Sequence, residues 1–369
     1  MKKIVIASVL KPANDVRSWD RIGHTLWQNS DYSIYLVGNG LSRNIQGYHR
    51  LHFETFNHKV TGIISRFRVQ REFYHILEKL HPDLIIITTP ELLPLSFLYK
   101  FFHSNKIVYD LQEDYEKNIK YQKIHSGMKK LLGSCFIRIT HRLARRYVDH
   151  FLLAEQCYIH LPFVQKGYTV AENKFAQTRA NVPSPDLSSK KIKLAFTGVL
   201  SEYSGYKKAI AIYRKLVEVL PATELHIAGY TYFPGIVDDL KKLENKENNV
   251  HLHGIDEYLD HQQLIDVACS CNLAVIAHQH NEVSKDRIPT KLYEYLYLGI
   301  PFVVDKNTNW FKKFSTTNLC IGIEIDNPDP SLIINMVQKY RQDTDYRRKD
   351  LSSWASEGQK ILQSTKTLL

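Results

Sequence analysis

Residues 284–304, SKDRIPTKLYEYLYLGIPFVV, bring together the side chains best suited to chemistry in this 369-residue chain. Pro289 suits the first position of a helix, where its missing N–H would be unpaired anyway. The N–H groups of Thr290 and Lys291, at the positive end of the helix dipole, suit a phosphate oxygen. Glu294 follows about one turn later, within reach of the vicinal hydroxyls of a sugar, and Asp286 stands eight residues before it on the entering loop. Two acids flanking a positive helix start fit a ligand with hydroxyls at both ends and a diphosphate between. The same spacing also fits an ordinary strand–helix–strand unit with surface acids. A helix of this kind must be held between buried strands, and Gly299 followed by Pro301-Phe302-Val303-Val304 supplies a stop and then an apolar strand.

The string PTKLYEYLYLGIPFVV resembles the donor-site signature of GT-B glycosyltransferases, in particular the large retaining group with two acids in E-x7-E spacing. Asp286 takes the place of the first Glu, and Pro289 the place of a Gly usual before the helix. The resemblance implies an α/β chain with two Rossmann-like doubly wound domains facing a cleft. It further implies transfer of a hexosyl unit, with retention of configuration, from a UDP- or GDP-sugar to an acceptor hydroxyl. Relatives of this type build bacterial surface glycans: capsule, O-antigen or exopolysaccharide. Gly198, with Lys207 and Lys208, lies near the family's K-G position, where a Lys meets the donor diphosphate; the family's second Gly is missing. Gly254-Ile255 follows its strand as in relatives, where the main chain meets the nucleotide base. Donor-binding residues would then be Gly198, Lys207, Lys208, Ile255, Asp286, Thr290, Lys291 and Glu294. Either Lys equally suits a solvated helix face.

The N-terminal half offers other candidates. Asp15 and Arg17 occupy the loop after the first strand, and loops at carboxyl ends of parallel strands are where α/β folds place ligands. D-x-R recurs there in related sugar transferases, while an N-cap aspartate and a solvated arginine fit as well. Tyr109-Asp110-Leu111-Gln112-Glu113-Asp114-Tyr115 resembles the family's Y-D-x-H-E-D-Y with Gln112 in place of His. Glu113, Asp114 or Asp110 would have to supply any acid or base, and Asp15 joins Glu113 and Asp114 as a catalytic candidate. Acids at a helix start that complement the dipole are the alternative. PELLPL at 90–95 resembles a family segment whose preceding His-Asp is Thr88-Thr89 here.

Residues 127–147 carry Leu131, Cys135, Ile139 and Leu143 at helical spacing, beside Leu132 and Phe136, with Arg138, Arg142, Arg145 and Arg146 among the rest. Such a helix either packs its apolar stripe on a core or lies in a membrane interface facing anionic lipid. With Arg17, these arginines form the expected acceptor or membrane face. A glycan or lipid-linked glycan acceptor and a peripheral hold on the inner face of the cell membrane would follow, in a cytoplasmic protein.

The formal charge is +11, and it is uneven: residues 1–182 hold 26 Lys+Arg against 15 Asp+Glu, residues 183–369 hold 23 of each. An anionic partner is therefore expected for the first half alone. The rival readings are a GT-B nucleotide-sugar epimerase and a non-catalytic nucleic-acid binder; the lack of a nucleic-acid-binding motif, or of aromatics interleaved with basics, argues against the second. Five cysteines in apolar segments read as reduced structural thiols. His278, His280 and Glu282 form H-x-H-x-E but read as loop residues; no metal and no cofactor beyond the donor substrate is expected. The apolar run after Lys2-Lys3 is too short for a signal peptide and reads as a buried strand.

Strand-like runs at 3–10, 33–37, 83–88, 106–110 and 150–154 make up a first domain over 1–182. Those at 193–197, 224–228, 250–253, 272–276, 301–304 and 319–323 make up a second over 183–345. The Pro- and Ser-rich RANVPSPDLSS marks the linker, and residues 346–369 form a terminal helix that in this fold crosses back to the first domain.

Overall fold

The computed structural model describes residues 1–45, 47–57, 63–121, 127–165, 167–178, 183–185, 187, 189, 191–281, 284–340 and 347–369. The chain forms two compact units: Met1–Thr178 with Trp354–Leu369, and Arg179–Ser353.

In the first unit, Ile/Val/Leu-rich runs form the inner strands, buried on both faces as parallel sheets require, and strands of mixed sequence lie at the two edges. These are β1 (Lys3–Ala7), β2 (Ser33–Gly38), β3 (Leu51–Thr55), β4 (Leu84–Ile87), β5 (Lys106–Leu111), β6 (His150–Leu153) and β7 (Tyr168–Val170). Among the described residues they form a parallel sheet ordered β3-β2-β1-β4-β5-β6-β7. Helices α1 (His24–Gln28), α2 (Ile63–Leu80), α3 (Leu93–Phe102), α4 (Tyr115–Tyr121) and α5 (Gly127–Tyr147) make the crossovers. One core packs Val69, Phe73, Phe97 and Tyr99 beneath the sheet; the other packs Trp19, Ile22 and Leu26 above it.

The second unit repeats the plan with β8 (Lys193–Val199), α6 (Tyr206–Val219), β9 (Glu224–Tyr230), α7 (Pro234–Lys246), β10 (Val250–His253), α8 (His261–Cys269), β11 (Leu273–Ile276), α9 (Thr290–Leu298), β12 (Phe302–Asp305), α10 (Asn309–Phe314), β13 (Cys320–Ile323), α11 (Pro330–Tyr340) and α12 (Lys349–Ser352). Its parallel sheet runs β10-β9-β8-β11-β12-β13. The strand order reverses between β1 and β4 in one sheet and between β8 and β11 in the other, the crevice where open α/β sheets bind ligands.

Helix α13 (Ala355–Leu368) belongs to the first unit, where Ile361 and Leu362 join the core beside Trp19. Trp354 anchors its start: the indole N–H donates to Thr25 Oγ1 at 2.9 Å, and the Trp354 N–H donates to the Phe175 carbonyl at 2.8 Å.

Several local expectations change. Pro289 is the N-cap, extended at ψ 130°, and the helix begins one residue later at Thr290. The helix expected over 18–29 divides into a π-helical turn, Val16–Gly23, and the short α1. Strands β3 and β7 have mixed polar sequences at the sheet edge and carry no apolar run for periodicity to detect. Cys269, Cys271 and Cys320 are buried and their thiols are pushed up to about 12 by burial; Cys135 is exposed.

Candidate functional site

The site in the second unit assembles at the carboxyl ends of β8, β9 and β11. Gly198 is the last but one residue of β8, with φ +122°, and Gly229 the last but one of β9, with φ +149°. A Cβ on Gly229 would stand 1.8 Å from the Gly198 carbonyl oxygen, so the two main chains touch where no side chain fits. Gly205, at φ +82°, meets the Ala277 carbonyl just past β11, where a Cβ would lie 1.9 Å from the oxygen. These contacts leave the strand ends bare of side chains beside the start of α9.

Helix α9 enters that space. Among the described residues no side chain caps its N-terminus. The Lys291 side chain runs past Gly198, its Cε 3.7 Å from where a Gly198 Cβ would be. Its ammonium donates to Glu294 Oε2 at 2.7 Å, and His261 Nε2 sits 2.9 Å from Glu294 Oε1. His261 is placed by the capping box that opens α8: Asp260 accepts from the Gln263 N–H at 2.9 Å, and Gln263 accepts from the Asp260 N–H at 2.9 Å.

Glu294 is 3 % exposed. Burial opposes its ionisation, but the Lys291 ammonium and the His261 ring hold its carboxyl well below the usual carboxylate range. Glu294 is therefore not a surface acid: its carboxylate is an anchored ionic hub. His278, past β11, has a buried Nδ1 that makes no hydrogen bond among the described residues. Burial first, then Arg287 and Lys291, lower its pKa to about 4. The space at the α9 start is thus bordered by two cations, a neutral imidazole and free helix N–H groups. That combination suits an anion.

The remaining donor candidates lie around it in different states. Thr290 is half-buried at the first turn, Asp286 is exposed on the entering loop, and Ile255 is buried after β10. Lys207 pairs with Glu202 at 2.5 Å, and Lys208 with Asp326 at 2.8 Å, both held by acids outside α9. Sequence reasoning missed His261 and Arg287, and read His278 only as a loop residue. The capping box marks the start of α8, but nothing local to it tells that His261 meets Glu294, 33 residues away.

In the first unit, Arg17 is the chief correction. Rather than facing an acceptor or a membrane, it is 3 % exposed and bound to Asp110: Nε lies 2.8 Å from Oδ2, and an Nη 2.6 Å from Oδ1. Its other Nη donates to the Ala171 carbonyl at 3.0 Å and to Asn173 Oδ1 at 2.8 Å. Asp110 also accepts from the Gln112 amide at 2.8 Å, so this acid is a buried strut. Asp15 caps the π-helical turn by accepting from the Arg17 N–H at 3.0 Å. Asp114 accepts from the Lys117 N–H at 3.0 Å at the start of α4. Glu113 is half-buried, with the Asn118 amide on its Oε2. Beside this group the Tyr109 hydroxyl is buried without a hydrogen bond among the described residues, and burial raises its pKa well above the ordinary value.

Helix α5 buries Ile137, Thr140, His141 and Ala144. Leu131, Leu132 and Ile139 are each about 60 % exposed, and Phe136 and Leu143 are exposed too. Arg138, Arg142, Arg145 and Arg146 are exposed on the same helix. The apolar stripe is therefore not the face that packs on the sheet of its own unit. Nearby in the chain, Phe101 and Phe102 at the end of α3 are exposed as well. Among the described residues no helix is long and apolar enough to cross a membrane. Of the H-x-H-x-E residues, His280 is exposed and Glu282 lies outside the described residues.

Residues 177–357 match the family model of glycosyl transferases group 1. No match was found among curated protein sequences. Among solved structures, sucrose-phosphate synthase of Thermosynechococcus elongatus is similar over 100 % of this chain and 99 % of its own, with TM-score 0.67 and 12 % identity. Anabaena HepE, solved with UDP-glucose, is similar over the whole of both chains, with TM-score 0.66 and 14 % identity. A putative UDP-N-acetylglucosamine 2-epimerase from Listeria monocytogenes covers 99 % of this chain and 96 % of its own, with TM-score 0.62 and 13 % identity. Residues 177–357 thus carry the pattern of a group 1 glycosyl transferase domain, in a chain whose two parallel-sheet units have the GT-B fold.

Proposed function

We propose that the protein is a hexosyltransferase that moves a sugar from a UDP- or GDP-sugar to an acceptor hydroxyl. The observation that carries this reading is the uncapped start of α9, with Lys291 locked over Gly198 by Glu294 and His261. A departing nucleoside diphosphate gains negative charge as the glycosidic bond breaks. Donors fixed beforehand around that charge lower the barrier without reorganising. Thr290 and Lys291 would hold the diphosphate. The second lone pairs of the Glu294 oxygens would accept from ribose hydroxyls. The main chain at Ile255 would meet the base, and Asp286 the transferred sugar. HepE, solved with UDP-glucose, supports a UDP-sugar as the donor.

The first unit would bind the acceptor, with Glu113 taking its hydroxyl proton and Asp114 and Asp15 ordering the loops around it. The exposed apolar and basic residues of α5 fit an anionic membrane surface, which would bring a lipid-linked glycan acceptor within reach. A role in bacterial surface glycan synthesis, at the inner face of the cell membrane, follows from such an acceptor. The test is product formation from a panel of UDP- and GDP-sugars with polyprenyl-linked and free glycan acceptors. Binding of no nucleotide-sugar, and no transfer from any, would reject the reading. Likeness to the Listeria protein supports a second reading, nucleotide-sugar epimerisation. Release of a free epimerised sugar nucleotide without acceptor would favour it.

A further inference from the structure

Strands β9 and β10 carry a second cluster with no part in the reading above. Glu224 and His226 alternate on β9, and His251 and His253 on β10, so all four project from one face of the sheet. His251 is the register partner of His226, and Leu225, Ile227 and Val250 point the other way into the core. One ligand atom from each of Glu224, His226 and His251 lies within 4.8 Å of the others. We propose that Glu224, His226 and His251 bind a divalent transition-metal ion of the zinc class, with His253 as a positioning residue.

Three features argue for a cation here. His226 Nδ1 lies 3.2 Å from His253 Nε2, a hydrogen bond that orients the ring. With the proton on Nδ1, Nε2 presents a lone pair to the interior of the cluster. That Nε2 is buried and has no hydrogen-bond partner among the described residues, while Glu224 Oε2 stands 3.6 Å from it, too far for a hydrogen bond. An imidazole nitrogen and a carboxylate oxygen facing each other without a shared proton are two ligands awaiting a positive charge. The other carboxylate oxygen, Oε1, accepts from Lys191 Nζ at 2.9 Å, which fixes the orientation of the carboxylate. The third feature is packing. The His226 ring lies 4.7 Å from that of His251 and 5.4 Å from that of His253, nearly parallel to the latter.

Zinc with bonds of about 2.0–2.1 Å in a tetrahedron needs ligand atoms roughly 3.3–3.4 Å apart. Small side-chain rotations from the observed spacing reach that. Two imidazoles and a carboxylate leave the fourth position to water. A ligating imidazole held through its other nitrogen is the usual outer arrangement of zinc sites, and His253 plays that part. The ion would tie β10, the last strand of its sheet, to β9 and so stiffen the edge.

The test uses the full chain, freed of metal by EDTA and dialysed, and titrated with cobalt(II). A single-equivalent visible spectrum of a four-coordinate cobalt site, displaced by zinc, and a rise in Tm with zinc are expected. His251→Ala and Glu224→Ala should abolish both, and His253→Ala should weaken cobalt binding about 10- to 100-fold. His280→Ala, in the separate loop, should change neither. Melting of each metal-free variant checks folding, and His251→Ala, on the edge strand, serves if Glu224→Ala is unstable. A cobalt spectrum no different from the aqueous ion would overturn the proposal. So would tight zinc binding that survives both His251→Ala and Glu224→Ala. Neither outcome bears on sugar transfer, which is read separately.

Discussion

At the scale of single residues, the proposed donor-site role of Glu294 would couple function to stability. Its carboxylate is buried between Lys291 and His261. Glu294→Gln keeps the shape but removes the charge and exchanges one acceptor for an N–H2 donor facing cations. Titration calorimetry should show UDP or GDP binding weakened by about 1.5–3 kcal/mol, roughly 10- to 150-fold. Unlike a variant in open solvent, it should also lower folding stability by about 2–3 kcal/mol, because a buried ionic hub loses its centre. The pH dependence has a definite sign. A carboxyl held below its unfolded value of about 4.3 contributes stability above that pH and loses it as pH falls towards the folded value. The Tm gap between wild type and Glu294→Gln should therefore be open at neutral pH and narrow below about pH 4. A gap that widens on acidification would contradict the ion-pair account. Arg17 offers a comparison free of ligand: Arg17→Ala leaves Asp110 uncompensated at 0 % exposure. Removing one partner of a buried pair costs on the order of 3–5 kcal/mol, measurable by urea unfolding.

At the scale of elements, α5 decides whether the first unit touches a membrane. Its buried face packs Ile137 and Ala144, and Leu131, Leu132 and Ile139 stay mostly exposed among the described residues. Reversing Arg142, Arg145 and Arg146 to Glu should lower partitioning onto vesicles of anionic lipid by at least about 1 kcal/mol per residue, roughly a hundredfold in all. Leu131→Ser with Ile139→Ser should lower it by loss of apolar area without changing its salt dependence. Turnover of a soluble acceptor should change little in either variant. Vesicle binding insensitive to these changes and to ionic strength would remove the membrane role.

At the scale of the molecule, the proposed nucleotide binding would be linked to folding. A ligand at 100 times its Kd raises stability by about 2.7 kcal/mol when it binds only the folded form. The cognate nucleotide should therefore raise Tm in a scan where others do not, and Glu294→Gln should lose most of that rise. Metal dependence gives another whole-molecule prediction. Lys291, Arg287 and the α9 dipole supply positive charge where a diphosphate would depart, the task a catalytic cation has elsewhere. Initial rates of transfer should persist in EDTA, even if the chelator lowers Tm through the β9–β10 cluster. Activity abolished by EDTA and restored by magnesium would count against this.

How much was legible without coordinates follows the range of the interactions. Buried parallel strands declare themselves as local apolar runs, and their alternation with helices is enough to specify two doubly wound units. Edge strands β3 and β7 escape because pairing on one side only leaves no such run. The α9 stretch was readable because its Pro, Lys, Glu and Gly signals are all within a few turns of each other. What surrounds each charge was not. Arg17 reads as a surface cation until Asp110, 93 residues away, is brought beside it. Glu294 reads as solvated until α8 delivers His261. The leucines of α5 fit a core or a surface equally well by spacing, and only the packing of Ile137 and Ala144 shows which face remains outside. Local sequence determined which elements form, because propensity and periodicity act over a few residues. Tertiary structure alone decided which ions are buried and which apolar groups are exposed, because both depend on neighbours that sequence distance does not reveal.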